Sequence, residues 1–209
     1  MCRTFRRSPA VIGLVVVLAL SSCATLDDMA AALANLQRLK FRIGSVRDFR
    51  LLGIEIAGKA RLSDFGAADI LKIGQSYASR KLPVELVVDV LAVNPNDGTG
   101  GTTKSTSTLT SLECRLLIDD KPTVTGNIDA PVEIPGTGQE SAIPIRLTLD
   151  LLEFFGDKRY EDLIALALAI GGRGGSAARL ALDAQPTVST PFGPITYPGR
   201  LTIVSAEFR

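Results

Sequence analysis

Four segments of this chain alternate apolar and polar residues with period two, and this repetition constrains the fold more than any other feature. Leu112, Cys114, Leu116 and Ile118 alternate with Glu113 and Arg115, and Ile128, Ala130, Val132 and Ile134 alternate with Asp129 and Glu133. Ile143, Ile145, Leu147, Leu149 and Leu151 alternate with Arg146, Thr148 and Asp150, and Leu180, Leu182 and Ala184 with Arg179 and Asp183. Successive side chains of a strand point to opposite faces, so each segment offers one face to a core and one to water. Turn-forming stretches, Asp119-Asp120-Lys121-Pro122 and Pro135-Gly136-Thr137-Gly138, separate them. The pattern predicts an antiparallel β-sandwich. With 46% hydrophobic and 22% charged residues the chain has enough apolar material for a sizeable core, built mainly from Leu, Ile, Val and Ala because aromatics make up 5%.

The strand VELVVDVLAV, residues 84–93, differs from the others. Val84, Leu86, Val88, Val90 and Ala92 share one face, and Val87, Leu91 and Val93 make the other face apolar as well, which predicts a central strand. It stops at Asn94-Pro95-Asn96-Asp97-Gly98. Pro95 lacks the N–H that a ladder needs and biases Asn94 towards extended backbone, so turn chemistry accounts for the stop. Thr99 to Ser111 reads as an exposed loop running into an edge strand. Earlier, Phe41 to Asp48 and then Leu52, Ile54 and Ile56 read as strands, and Arg200 to Phe208 as a last one. Within residues 41–209 two helices are predicted: Ala67 to Arg80, with Ile70, Ile73 and Tyr77 on one face, and a second that Gly156-Asp157 starts. The second carries Tyr160, Leu163, Ile164, Ala167 and Leu168 as its stripe and ends at Gly171-Gly172. It is expected to cover an edge or end of the sandwich.

The N-terminus carries a different message. Arg3, Arg6 and Arg7 precede an apolar run from Ala10 to Leu20, too short to span a bilayer comfortably, and Leu20-Ser21-Ser22-Cys23 follows. Small residues before a cysteine in this setting resemble the lipobox of bacterial lipoproteins. Residues 1–22 then form a signal peptide and Cys23 is acylated as the first mature residue. The alternatives are a cleaved signal with an incidental cysteine or an uncleaved anchor helix. Ala24, in place of Asp, would permit export to an outer membrane facing the periplasm in a Gram-negative host. Loss of three arginines and no acid from 23 basic and 22 acidic side chains leaves 20 and 22, a net charge of −2. Acyl burial contributes about 0.8 kcal/mol per methylene, so several chains hold a protein on a membrane. Residues 23–40 form the lipidated tether, with Thr25 as N-cap and Asp27-Asp28 in the first turn of a helix whose Met29, Leu33 and Leu36 recur at helical spacing. That helix either lies on the membrane or packs on the domain, and an Ala-rich amphipathic helix more often does the latter.

The chain has no histidine, which removes the Ser-His-acid triad, the Cys-His dyad and any imidazole metal ligand. Cys114 lies on the inward face with Leu112 and Leu116 and reads as a core thiol. The acidic pairs Asp27-Asp28, Asp119-Asp120 and Glu161-Asp162 fall at a helix start, a hairpin turn and a helix face, where structural roles suffice. Gly171-Gly172-Arg173-Gly174-Gly175 follows a helix instead of preceding one, so its dipole repels the phosphate that a P-loop attracts. These features predict no enzyme, no cofactor and no metal. No clustered basic field outside the first residues points to nucleic acid.

Several landmarks together carry a resemblance: the strand into Asn94-Pro95-Asn96, the strand and turn from Leu116 to Asp120, Ile134-Pro135-Gly136 before Ala142-Ile143-Pro144-Ile145, and Thr190-Pro191-Phe192-Gly193-Pro194-Ile195. Over residues 41–209 the chain resembles the late embryogenesis abundant type 2 family, the water stress and hypersensitive response domain. The resemblance implies a fibronectin-like or immunoglobulin-like sandwich, mostly β with added helices, non-enzymatic, and associated with desiccation and other stress. It makes Asn94, Pro95, Asn96, Thr190, Pro191, Phe192 and Gly193 structural motif residues. The helical segments near 66–80 and 157–171 count as insertions; the first, with the Gly- and Thr-rich loop after Asn96, departs from the family pattern. Two functions are carried forward: a stress-protective envelope domain binding protein or membrane surfaces weakly, and a binder of lipid or another apolar ligand at a cleft near Tyr77 and Tyr160.

Overall fold

The computed structural model describes residues 29–100 and 104–208. Cys23, Thr25 and Asp27-Asp28 lie outside these residues, as does all of the signal segment. Two antiparallel sheets pack face to face around one apolar core, with helices at both ends. The expected architecture, a mostly β sandwich with added helices, is the one observed. In the first sheet β1 (Lys40–Leu51) lies between β2 (Ile54–Glu55) and β3 (Pro83–Val93), and β7 (Glu140–Asp150) pairs with the far side of β3. The second sheet runs β10 (Leu201–Val204), β8 (Leu180–Thr190), β4 (Ser107–Ile118), β5 (Lys121–Gly126). Short β6 (Val132–Ile134) also pairs with β4, and β9 (Gly193–Thr196) with β8.

The period-two faces are buried as expected. Val84, Leu86, Val88, Val90 and Ala92 of β3 face Ile143, Ile145, Leu147 and Leu149 of β7 across a continuous eleven-pair register from Pro83↔Asp150 to Val93↔Glu140. From the other sheet Leu112, Cys114, Leu116, Leu182 and Ala184 close the core. Val87 is buried too, and β3 has a partner on each side, so it is the central strand that its sequence announced. Outward faces carry ion pairs: Arg42–Glu140 and Arg47–Asp89 on the first sheet, and Arg200–Asp183 on the second. Such exposed pairs contribute about 0–1 kcal/mol each and mainly keep the faces solvated.

Four expectations are corrected. Residues 107–111 belong to β4, which is flanked by β8, β5 and β6 and so is internal to its sheet, neither loop nor edge. The alternating residues 128–131 are irregular and only Val132–Ile134 is strand; the ladder partner for the end of β4 is β5, whose short polar sequence KPTVTG hides its strand character. The last strand is Leu201–Val204 alone. Leu52 and Gly53 both have positive φ and turn β1 straight into the two-residue β2, shorter than the Leu52–Ile56 alternation suggested.

The helices divide between the ends. Helix α1, residues 29–38, precedes β1, and the buried Leu36 and Leu39 fix it to the sandwich, so packing on the domain is the outcome for the described part. Helix α2 (Ala67–Ala78), α3 (Leu151–Phe155) and α4 (Tyr160–Gly171) gather at the opposite end, where β3 begins and β7 finishes. Asp150 links them: its Oδ1 accepts from Leu82 N at 2.8 Å and from Leu152 N at 2.9 Å, capping α3. Helix α4 starts after Arg159, two to three residues later than Gly156-Asp157 indicated. It buries Leu166 and Ile170 beyond its predicted stripe. A Cβ on Gly171 would sit 2.3 Å from Phe49 of β1, so glycine there lets the helix end press on the sheet.

Candidate functional site

Two of the sequence motifs that carry the family resemblance meet at the α1 end of the sandwich. Asn94 follows the last residue of β3, and Asn96 lies two residues on; they are the only fully buried polar side chains among the described residues. The Asn94 amide nitrogen donates to Ser105 O at 2.8 Å, in the loop before β4, and to Ile134 O at 3.0 Å, at the end of β6. Its Oδ1 accepts from Asn96 N at 3.1 Å and from the Asn96 amide at 2.8 Å. Asn94 O accepts from Gly138 N, and Asn96 O from Ser105 N. One side chain thus ties the end of the first sheet to two segments of the second. Asn96 Nδ2 extends the tie to α1 by donating to Asn35 O at 3.3 Å.

The amide serves Asn94 through both its donors and its acceptor, and Asn96 through its donors. A buried carbonyl left unpaired costs about 1–3 kcal/mol, and a primary amide supplies two donors and an acceptor in one side chain. The sequence reading found the turn but missed the buried cross-link. A Cβ at Gly136 would lie 2.3 Å from Asn96 O and 2.4 Å from Ser105 O, so glycine is required for the close approach of this segment. Asn96 Oδ1 and Ser105 Oγ are buried without a hydrogen-bond partner among the described residues.

Thr190-Pro191-Phe192-Gly193 forms the two-residue hairpin between β8 and β9, with Thr190 paired to Gly193. Thr190 Oγ1 donates to Gly193 O at 2.7 Å and accepts from Phe192 N at 3.2 Å, and Gly193 takes φ +111°. Thr190 and Pro191 line a small cavity of about 140 Å³ together with Ala32, Asn35 and Leu36 of α1 and Ser105 to Ser107. The four motif positions of the hairpin and the three of the asparagine turn therefore share one end, with α1 between them.

Tyr77 and Tyr160 meet at the other end, where α2 touches α4. Their rings pack edge to face with centroids 5.4 Å apart and planes at 77°, an attractive geometry for two quadrupoles. Burial raises the Tyr160 hydroxyl pKa, with the Glu161 charge adding to the shift, and its oxygen is buried without a hydrogen-bond partner among the described residues. The open space lies elsewhere on α4. A groove of about 460 Å³ is floored by Ile164 and Leu168, walled by Leu62, and edged by Arg61, Arg173 and Glu161. Neither tyrosine lines it. Its arginines sit in a turn and a glycine-rich exit that offered no periodic signal in the sequence.

The remaining candidates take structural places. Cys114 is buried, with Sγ 3.5 Å from Gly126 O, and burial pushes its thiol up to about 11, opposite to the low value a nucleophile needs. Asp119 and Asp120 make a hairpin turn, both with positive φ, and Asp119 forms an ion pair with Arg179. Asp162 pairs with Arg159 at the start of α4, and this hydrogen bond lowers the carboxyl pKa. In the glycine-rich exit, Arg173 N donates to Lys59 O at 2.6 Å and Gly175 N to Gly172 O at 2.8 Å, so its backbone amides hold the chain itself. Among the described residues no helix is long and apolar enough to cross a membrane. Comparison with protein-family models, with curated proteins and with solved structures found no match.

Proposed function

We propose that this chain is a non-enzymatic, lipid-anchored envelope protein whose late embryogenesis abundant type 2-like sandwich shields or binds protein and membrane surfaces weakly. The observation that carries the proposal is the joining of tether to domain. The lipobox-like Leu20-Ser21-Ser22-Cys23 lies six residues before Met29, where α1 is described, and α1 is fastened to the sandwich through Leu36, Leu39 and the Asn96–Asn35 hydrogen bond. An acyl group on Cys23 would therefore hold a rigid domain close to a membrane, in the cell envelope. Weak surface binding fits outward faces of alternating charge, which offer many shallow polar contacts and few deep ones.

The test is protection of a desiccation-sensitive enzyme dried in the presence of the purified protein. Retention of activity well above that given by an equal mass of serum albumin supports the proposal, and equality with albumin removes the protective role. A second reading, binding of an amphiphile with an anionic head, is favoured by the groove on α4, whose apolar floor suits a chain and whose edge offers Arg173 to a carboxylate or phosphate, with Arg61 paired to Asp64 and Glu161 beside it. Native mass spectrometry of protein purified without added ligand discriminates the two. A co-purifying lipid at one per chain, lost on Ile164→Arg, supports the second reading.

A further inference from the structure

The anchor proposed above leaves open which face of the domain meets the membrane, and the reach of the tether chooses between two ends that both expose apolar side chains. Met29, Ile70, Leu71 and Phe192 are the large hydrophobic side chains most exposed among the described residues. Ile70 and Leu71 lie on α2, at the end where β3 begins. Phe192, 46% exposed, sits at the tip of the β8–β9 hairpin, at the end where β3 finishes. Pro191, its neighbour, lines one cavity with Ala32, Asn35 and Leu36 of α1, and Met29 is one helical turn from Ala32. The two ends are separated by the eleven residues of β3, about 35 Å at the usual strand rise.

Six residues of chain reach at most about 20 Å, so an acylated Cys23 lies within that distance of Met29, one helical turn before the Ala32 that lines the hairpin's cavity. It cannot reach a membrane placed against α2 without lifting α1 from its Asn96 and core contacts. We propose that the β8–β9 hairpin, through Phe192, inserts into the surface of the lipid bilayer beside the acyl anchor, and that the α2–α4 end projects away from it. The occupant is a bilayer because the proposed mature chain begins at an acylated Cys23, a group that partitions into one, six residues before α1. A wholly apolar ring at the tip of a two-residue hairpin suits shallow burial at the headgroup–acyl boundary, where Phe and Leu side chains of surface-bound segments insert. The inference rests on the lipid anchor, and its test separates the two.

The chain contains no tryptophan, so one introduced tryptophan reports its own surroundings without background. The full-length protein carrying Phe192→Trp, or Leu71→Trp at the distal end, is expressed in a bacterial host, extracted from membranes and reconstituted into phosphatidylcholine–phosphatidylglycerol vesicles with and without bromine on the acyl chains. Intact mass is recorded for each sample. With acyl mass present, Phe192→Trp is expected to shift to the blue and lose most of its emission to bromolipid, while Leu71→Trp keeps its wavelength and intensity. Acylated protein in which Phe192→Trp is unquenched, or in which both positions are quenched alike, overturns the orientation and leaves the anchor standing. Protein with an unmodified mass that stays off the vesicles overturns the anchor, and the orientation with it.

Discussion

Replacement of Asn94 by alanine tests the asparagine cross-link. Besides a long hydrogen bond to Ser107 Oγ at 3.4 Å, the side chain makes four shorter ones in a fully buried setting, to Ser105 O, Ile134 O, Asn96 N and the Asn96 amide. Each is worth about 1 kcal/mol net when water cannot take the partner's place, so Asn94→Ala should destabilise by about 4 kcal/mol. For a domain of this size that corresponds to a fall in Tm of roughly 8–16 °C. Asn127 is the internal control: its Oδ1 accepts from Leu112 N at 2.7 Å and Ile128 N at 2.8 Å, yet the residue is exposed. Water can replace its bonds, and Asn127→Ala should cost about 1 kcal/mol. Urea titration followed by far-ultraviolet circular dichroism gives both values at unchanged m. If the two substitutions cost the same to within the error of the extrapolation, burial is not what gives Asn94 its weight and the reasoning fails.

Three further outcomes follow from particular residues. Cys114, with its thiol raised to about 11 against 9.0 in the unfolded chain, should add nothing to the pH dependence below pH 9; between pH 9 and 11 the unfolded chain loses its proton first, so stability should fall. Cys114→Ser should flatten that alkaline slope, and an unchanged slope would assign it to another group. Asp120 holds φ +62° in an exposed turn, so Asp120→Gly should stabilise by about 1 kcal/mol and Asp120→Val should destabilise, both read by thermal unfolding; a destabilising glycine would contradict the strain argument. The Tyr160 hydroxyl is buried without a partner among the described residues, so Tyr160→Phe should be neutral or stabilising by up to about 1 kcal/mol, whereas a cost above that would reveal a hydrogen bond.

The sandwich was legible wherever one face of a strand is buried and the other wet. Leu112 to Ile118 and Ile143 to Leu149 alternate because the pleat obliges them to, and β3 betrayed its central place by being apolar on both faces. Strand β5 was illegible because Lys121, Pro122, Thr123 and Thr125 are held by pairing to β4 and not by an apolar face of their own. Residues 128–131 misled in the opposite sense, since alternation without a partner strand does not make a ladder. At the candidate site, Asn94-Pro95-Asn96 announced a turn because proline and asparagine act locally. Its larger role depends on Ser105, Ile134, Gly138 and Asn35, which lie far from it along the chain, and no short-range pattern records such contacts. The groove edged by Arg61 and Arg173 was invisible for the same reason.

The proposed anchor depends most directly on the state of Cys23. Intact mass spectrometry of the protein extracted from the membranes of a bacterial host should give a chain beginning at Cys23 with added acyl mass, and Cys23→Ser should return a chain without it. A chain that keeps residues 1–22, or that is cleaved elsewhere and leaves Cys23 as a free thiol, would contradict the proposed envelope anchor.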